Sequence, residues 1–128
     1  MTRGKPMKLS DHFDSDEFKC RCGCGYGTHP GDVSSELIDL LERMREEHGP
    51  IHITSGCRCK VYNLHCGGVE NSAHTRGTAA DLRVQGGTER RKLLDLAVMH
   101  WASGIGVANS FIHVDVDSTL PRPMAWTY

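Results

Sequence analysis

The hydrophobic pattern of the chain first predicts an amphipathic helix in the segment SSELIDLLERMREEHGP, because its apolar side chains recur at helical spacing. Asp32 or Ser34 can cap the first turn of this helix, and Gly49 followed by Pro50 ends it. The side chains expected to face the core are Leu37, Ile38, Leu40, Leu41 and Met44.

A second helix and three strands complete the predicted elements. The helix is expected to run from a Thr88 cap through RRKLLDLAVMHWA to Gly104. Strands are predicted at AADLRV, at FIHVDV and at IHITSG, where Ile51 and Ile53 alternate inward. Helices mixed with short strands and tight turns indicate an α+β domain rather than a repeating βαβ unit.

Two of these strands combine an apolar face with a polar one, because alternate residues of a strand share a face. Ile112, Val114 and Val116 are expected to point into the core. The residues expected on the opposite faces are Phe111, His113 and Asp115 in one strand, and Ala79, Asp81 and Arg83 in the other. Each strand therefore offers polar side chains of the kinds that bind metals.

Length and composition restrict the classes of protein. A chain of 128 residues forms one domain, expected here over residues 1–128, with a cysteine-rich loop segment at 1–31. A net charge of −1 gives no indication of the basic surface that binds nucleic acid. No apolar run approaches the roughly 20 residues that a membrane span needs. The start MTRGKPMKLSDHF lacks the apolar stretch of a secretory signal, so we expect synthesis in the cytoplasm. We also expect a monomer that has no nucleic-acid partner and no membrane span.

Three residues have the identity and number of ligands in a catalytic zinc site: His74, Asp81 and His113. Such sites use three protein ligands and leave a fourth position for water. Gly77 allows the chain to turn between the first two. The spacing alone does not decide the matter, since His74 could cap a turn, Asp81 could be solvated and His113 could be a half-buried histidine with ordinary partners.

Read together, the segments TSGCRCKVYN, GGVENSAHTRGTAADLRV, GIGVANSFIHVDV and PMAW resemble the zinc D-Ala-D-Ala peptidases of family M15, above all its compact peptidoglycan-trimming and phage-associated members. HFDSDEFKCRCGCG and LLERMREEHG also look like the N-terminal part of that family. The positions that carry the resemblance are Ser55, Gly56, Arg58, Asn63, Gly67, Gly68, Ser72, His74, Gly77, Ala79, Asp81, His113 and Asp115.

The resemblance implies a compact domain with a small antiparallel sheet flanked by helices, similar to hedgehog and DD-peptidase domains. It implies that His74, Asp81 and His113 bind Zn²⁺ and that Arg58 faces the site, where it holds a substrate carbonyl or the developing oxyanion. Ser72 and Asn63 are expected to support the site rather than to react. The implied activity is hydrolysis of D-amino-acid bonds in peptidoglycan stem peptides or cross-links at the cell wall, by a carboxypeptidase or an endopeptidase.

One position departs from the resemblance. Many relatives carry an acidic general base three residues before the last histidine, where this chain has Ser110. Asp115 is the best substitute, followed by Asp117, because it shares a strand face with His113. The alternative is that Asp115 orients His113 as a metal ligand.

The six cysteines fall into two groups: Cys20, Cys22 and Cys24, then Cys57, Cys59 and Cys66. They could form disulfides between the groups, build a structural metal site or remain free thiols, and cytoplasmic synthesis favours the last two.

Two rival functions stand beside the peptidase. One is a non-catalytic zinc module that recognises the cell wall, which the missing acid favours; the other is a cysteine-rich metal-storage or redox protein.

Overall fold

The computed structural model describes residues 6–128, and it places two long helices against a five-stranded sheet. The first five residues, which belong to the start interpreted above as lacking a secretory signal, lie outside the described residues. The helices and strands are α1 (Ser35–His48), β1 (Ile53–Ser55), α2 (Lys60–His65), β2 (Ala79–Arg83), α3 (Gly87–Met99), β3 (Gly104–Val107), β4 (Phe111–Asp115) and β5 (Met124–Thr127), with short 3-10 helices at Ser15–Glu17 and Ala73–Arg76.

The first helix confirms its prediction in detail. Of the two proposed caps, Ser34 is the one used, and its hydroxyl accepts a hydrogen bond from the Leu37 N–H. Gly49 follows the last helical residue with a φ of 89°, a conformation that glycine adopts without strain. All five side chains predicted to face the core are buried. Asp32 instead accepts hydrogen bonds from the backbone N–H groups of Gly27 and His29 in the preceding loop.

The predicted limits of the second helix are wrong at both ends. Thr88 lies inside α3, and the Glu89 carboxylate accepts a hydrogen bond from the Gln85 N–H at 2.7 Å, so a side chain of the first turn satisfies the donor before the helix. The helix stops at Met99 because Trp101 takes a left-handed φ of 67°. Gly104, the predicted end, is the first residue of β3.

The sheet has the strand order β1-β2-β4-β3-β5. The predicted α+β class is confirmed. The first three pairs are antiparallel as expected, but β3–β5 is parallel, so the sheet is mixed rather than wholly antiparallel. IHITSG contributes only the short β1, although both Ile51 and Ile53 are buried as predicted. The strands β3 and β5 were not predicted. No helix in the described part of the chain is long and apolar enough to cross a membrane.

The pairing of β2 with β4 confirms the predicted alternation. Asp81 lies opposite His113, and Ala79 lies opposite Asp115. On the other face, Ile112 and Val114 are completely buried in the core that the strands share with α1 and α3, and Val116 packs partly buried against it. The apolar face therefore anchors the sheet, and the polar face carries the side chains of interest.

Candidate metal centre

The turn that carries His74 is built by two residues beside it. The Ser72 hydroxyl caps the 3-10 helix Ala73–Arg76 by accepting a hydrogen bond from the His74 N–H at 3.2 Å. Gly77 ends the turn with a φ of 70°, and a Cβ there would collide with the carbonyl oxygen of Asp32. The glycine is therefore required both by its conformation and by the space.

Three side chains converge at the polar face of β2 and β4. The Oδ1 atom of Asp81 lies 3.2 Å from Nε2 of His74 and 3.2 Å from Nδ1 of His113. All three residues are buried, with 6% of Asp81, 3% of His74 and 4% of His113 exposed. The structure thus brings together the three residues that the sequence analysis selected as metal ligands.

The remaining nitrogen of each histidine is already bonded to an acceptor. Nδ1 of His74 donates to the Gly56 carbonyl at 2.7 Å, and Nε2 of His113 donates to Oδ2 of Asp115 at 2.8 Å. Because the Gly56 carbonyl and the Asp115 carboxylate accept these protons, the neutral form of each ring has its other nitrogen, Nε2 of His74 or Nδ1 of His113, free to bind a metal. Metal-binding histidines are commonly oriented in this way.

The convergent atoms fit a zinc ion in kind and in spacing. Ligand–zinc distances of about 2.0–2.1 Å in a tetrahedron place neighbouring ligand atoms about 3.3 Å apart, close to the 3.2 Å between Asp81 Oδ1 and each histidine nitrogen. Two imidazoles and one carboxylate are a donor set that zinc accepts, with a further position left for water or substrate.

The charges of this cluster favour a cation at its centre. Burial alone would raise the pKa of Asp81, but hydrogen bonds and charges from His113 and His74 hold it well below its ordinary value. Burial alone would lower the pKa of His113, but the carboxylates of Asp115 and Asp81 raise it. The site therefore attracts positive charge, either as a proton or as a metal ion.

Arg58 reaches the same cluster from the loop between β1 and α2. Its Nη2 atom lies 3.1 Å from Oδ2 of Asp81, and its Nε donates to the Ser55 hydroxyl at 2.9 Å. A third contact, at 3.3 Å, is to the side-chain oxygen of Asn63, which is buried and donates to the Val69 carbonyl. The guanidinium is thus held in one orientation beside the metal-ligand candidates, and Asn63 supports it.

Asp115 lies beneath His113 with both carboxylate oxygens engaged. Arg122 donates from Nε to Oδ1 at 3.0 Å and from Nη2 to Oδ2 at 2.8 Å, while Oδ2 also accepts from His113. The residue is completely buried. Burial alone would raise its pKa, but His113 and Arg122 lower it below the ordinary value. Of the two roles considered for Asp115, these contacts favour the orientation of His113.

Asp117 lies apart from the cluster. Its carboxylate accepts hydrogen bonds from Nε of Arg76 at 2.6 Å and from the Thr78 hydroxyl at 2.7 Å, and Thr119 binds the other oxygen. These contacts tie the end of β4 to the turn that follows His74. They give Asp117 a structural role.

Sequence reasoning missed a group of residues contributed by β3, β5 and the loop before β5. The Trp126 ring lies 5.0 Å from the His113 ring, and Arg122 lies over the Trp126 ring at 5.3 Å. A Cβ on Gly104 would collide with Asp115, and one on Gly106 would approach Trp126 Nε1 to 2.6 Å. The alternating glycines of GIGV were the available signal, because glycine within a strand often marks a close approach.

A cleft of about 690 Å³ opens beside the three convergent side chains. Its apolar wall comes largely from Phe111, Leu120, Met124, Trp126 and Tyr128. Within residues 6–128, Asp81 and Asp115 are the only carboxylates that line it, and Arg58 and Arg122 are its only cationic side chains besides histidine. The cleft is large enough for a short peptide and combines apolar surface with fixed positive charge.

The cysteines do not act as a single set. Four sulfurs, those of Cys20, Cys22, Cys24 and Cys59, lie within 4.8 Å of one another. Cys57 is buried instead, with its sulfur 3.7 Å from the Asp32 carbonyl oxygen, and Cys66 is exposed at the end of α2. None of the six forms a disulfide.

Comparison with known proteins agrees with the site. The model of the family described as Peptidase M15 matches residues 11–115. No curated protein matches the chain. The matched span includes the three metal-ligand candidates, Arg58 and Asp115, and it ends before β5.

Proposed function

Because the chain belongs to the peptidase M15 family, we propose that it is a zinc-dependent peptidase that hydrolyses D-amino-acid bonds in bacterial peptidoglycan. The observation that carries the proposal is the convergence of His74, Asp81 and His113 beside a cleft of about 690 Å³. Family membership supports peptidase activity, and the donor set supports zinc.

In this proposal His74, Asp81 and His113 hold the metal through Nε2, a carboxylate oxygen and Nδ1. Zinc bound there would polarise a peptide carbonyl and lower the pKa of a water molecule. The Gly56 carbonyl and the Asp115 carboxylate hold the two rings in the tautomers that leave the ligand nitrogens free. The protein therefore needs no rearrangement of the rings before it binds the metal.

Arg58 is proposed to hold the oxygen of the scissile carbonyl as negative charge develops on it. The Arg58 side chain is 14% exposed, and the contacts of its guanidinium with Asp81, Ser55 and Asn63 keep it in the wall of the cleft. A donor that is already oriented costs little reorganisation during the reaction. The planar fork also suits an oxygen that forms two hydrogen bonds.

Asp115 is proposed to position His113 rather than to accept the proton of the attacking water. Its two oxygens are occupied by Arg122 and His113, and none of its surface is exposed. A general base needs to come within hydrogen-bond reach of the proton that it removes. The ion pair with Arg122 instead keeps Asp115 ionised as the acceptor for His113.

A second candidate function is a non-catalytic zinc module that recognises the cell wall. Two observations favour it. Ser110, the position at which relatives carry an acid, is exposed in the turn before β4, and both carboxylates that line the cleft in the described residues are already bonded to other side chains.

The test uses purified zinc-loaded protein and defined peptidoglycan fragments. The proposal expects release of D-alanine by a carboxypeptidase, or new amino groups within cross-links by an endopeptidase, and loss of either product in His113→Ala. His52→Ala, which changes an exposed histidine, is the matched control and should retain the activity. Zinc-dependent binding of the fragments without any cleavage would instead support the recognition module.

A further inference from the structure

A second group of metal-ligand side chains lies outside the centre described above. The CRCGCG loop brings Cys20, Cys22 and Cys24 together with Cys59, which is the cap of α2. The sulfurs of Cys20 and Cys22 are 3.4 Å apart, and those of Cys22 and Cys59 are 3.7 Å apart. All four sulfurs lie within 4.8 Å of one another.

These separations match a shared metal better than a covalent pair. Four thiolates at about 2.3 Å from a tetrahedral zinc ion have their sulfurs about 3.8 Å apart. A disulfide requires about 2.0 Å between its sulfurs and joins only two of them. The four sulfurs are therefore close enough together to bind one ion in common.

The local backbone is organised around these sulfurs. Gly23 and Gly25 alternate with the cysteines and have φ values of 85° and 93°, conformations that let the loop curl so that successive thiols face the same side. The Cys59 N–H donates to the sulfur of Cys20, and the Tyr62 N–H donates to the sulfur of Cys59, each at 3.4 Å. Backbone donors aimed at sulfur stabilise thiolates.

The protonation of the cluster agrees with this geometry. Burial alone would raise the pKa of Cys20, but hydrogen bonds from the backbone of Cys59 and from the neighbouring thiols lower it to about 7. The backbone donor of Cys59 therefore favours the thiolate form of Cys20, which is the form that binds a metal.

We propose that Cys20, Cys22, Cys24 and Cys59 bind a second Zn²⁺ as a closed four-thiolate site whose role is structural. Four protein ligands leave no open position for water or substrate, which distinguishes structural zinc sites from catalytic ones. Cys57 and Cys66 are excluded, because the first is buried toward Asp32 and the second lies at the far end of α2. The site is independent of the proposed peptidase activity.

The position of this site explains what it stabilises. Cys59 follows Arg58 directly, and the Arg58 N–H donates to the His74 carbonyl at 3.0 Å. In the same segment, the Cys57 N–H donates to the Phe18 carbonyl at 2.7 Å. A metal bound by the N-terminal loop and Cys59 therefore ties that loop to the segment that holds Arg58 beside His74.

Metal content by elemental mass spectrometry tests the proposal on the full chain, prepared under reducing conditions, supplied with excess zinc and then desalted. We expect two zinc ions in the natural protein, one in Cys22→Ser and one in His113→Ala. Cys66→Ser, a matched change of an exposed cysteine outside the cluster, should keep two. Cys22 is chosen because it is exposed, and circular dichroism checks that the variant folds.

Cobalt substitution identifies the ligands independently of zinc counting. Co²⁺ bound by thiolates shows sulfur-to-metal charge-transfer absorption, which should persist in His74→Ala and be strongly weakened in both Cys22→Ser and Cys59→Ser. The proposal is overturned if Cys22→Ser retains two zinc ions, or if the natural protein binds only one ion and loses it in His113→Ala. An intact mass showing a disulfide at Cys22 or Cys59 in protein that contains one zinc would also overturn it.

Discussion

Asp115 accepts a hydrogen bond from His113, the residue two positions earlier on the same strand, with 2.8 Å between Oδ2 and Nε2. Alternation along β4 places both side chains on one face, so the pair forms locally. The bond leaves Nδ1 of His113 to face Asp81. The choice of ligand nitrogen in the proposed metal centre therefore depends on Asp115.

This relationship predicts the effect of Asp115→Asn. An orienting partner contributes roughly 10–100-fold to metal affinity, so zinc should bind more weakly while turnover largely recovers in excess zinc. A general base would behave differently, with zinc retained and kcat reduced by about 10²–10⁴-fold. Isothermal titration and turnover on the same preparation separate the two, and Asp95→Asn, which changes an exposed carboxylate outside the cluster, should leave zinc affinity unchanged.

Arg58→Lys should reduce kcat by about 10²-fold with a smaller change in KM, because the substitution keeps the charge but loses the planar fork of donors. Steady-state kinetics on a stem-peptide substrate give both constants. Arg83→Lys changes an exposed arginine at the end of β2 and serves as the control. A rise in KM alone would mean that Arg58 anchors the ground state of the substrate, for instance its terminal carboxylate.

Zinc affinity should fall on the acid side, starting above the ordinary histidine pKa of about 6.5. Asp115 and Asp81 raise the pKa of His113 against the effect of burial, so in the metal-free protein a proton competes for this site at higher pH than usual. Asp81 stays ionised throughout, because its pKa is lowered. Chelator competition from pH 8 to pH 5 measures the affinity, and an acid loss of activity that excess zinc does not shift would contradict this explanation.

Asp117→Asn should destabilise the metal-free fold by about 1–3 kcal/mol at neutral pH, since the carboxylate is 1% exposed and binds Arg76, Thr78 and Thr119. Burial alone would raise the pKa of Asp117, but those hydrogen bonds lower it. A lowered folded-state pKa stabilises above the unfolded value of about 3.9, and this contribution is lost as pH falls below it.

Urea unfolding of both proteins at neutral pH and near pH 3 measures this difference, which should shrink in acid. Asp95→Asn removes an exposed ion pair with Arg91 and should cost at most about 1 kcal/mol at either pH. An Asp117→Asn protein as stable as the natural one at neutral pH would show that the buried contacts contribute little.

Features with a local cause were predictable from the sequence. The apolar stripe of α1 and the polar faces of β2 and β4 follow from periodicity within one segment, and the structure has them as predicted. The start of α3 was wrong because Thr88 has the right chemistry for a cap, yet the adjacent Glu89 binds the Gln85 N–H. The start of such a helix depends on which neighbouring polar side chain binds the free backbone N–H groups. The hydrophobic pattern alone does not predict which one does.

Features with a non-local cause were not predictable in the same way. The parallel pairing of β5 with β3 joins two segments whose hydrophobic pattern does not predict a strand. That pairing brings the Trp126 ring beside His113 and Arg122 into contact with Asp115. Spacing correctly placed Cys20, Cys22 and Cys24 together, but it grouped Cys59 with Cys57 and Cys66 rather than with them. Which of them face each other depends on how the N-terminal loop docks beside α2, and that follows from tertiary contacts.

The most direct test of the proposed catalytic metal centre is a zinc titration of the metal-free protein, followed by peptidoglycan fragment cleavage and by metal content on the same samples. His74→Ala is measured in parallel, and Cys22→Ser separates the zinc of the cysteine cluster. We predict that cleavage rises in proportion to the zinc that depends on His74 and that it is absent from His74→Ala. Cleavage at full rate by the metal-free protein, or by a His74→Ala variant without that zinc, would contradict it.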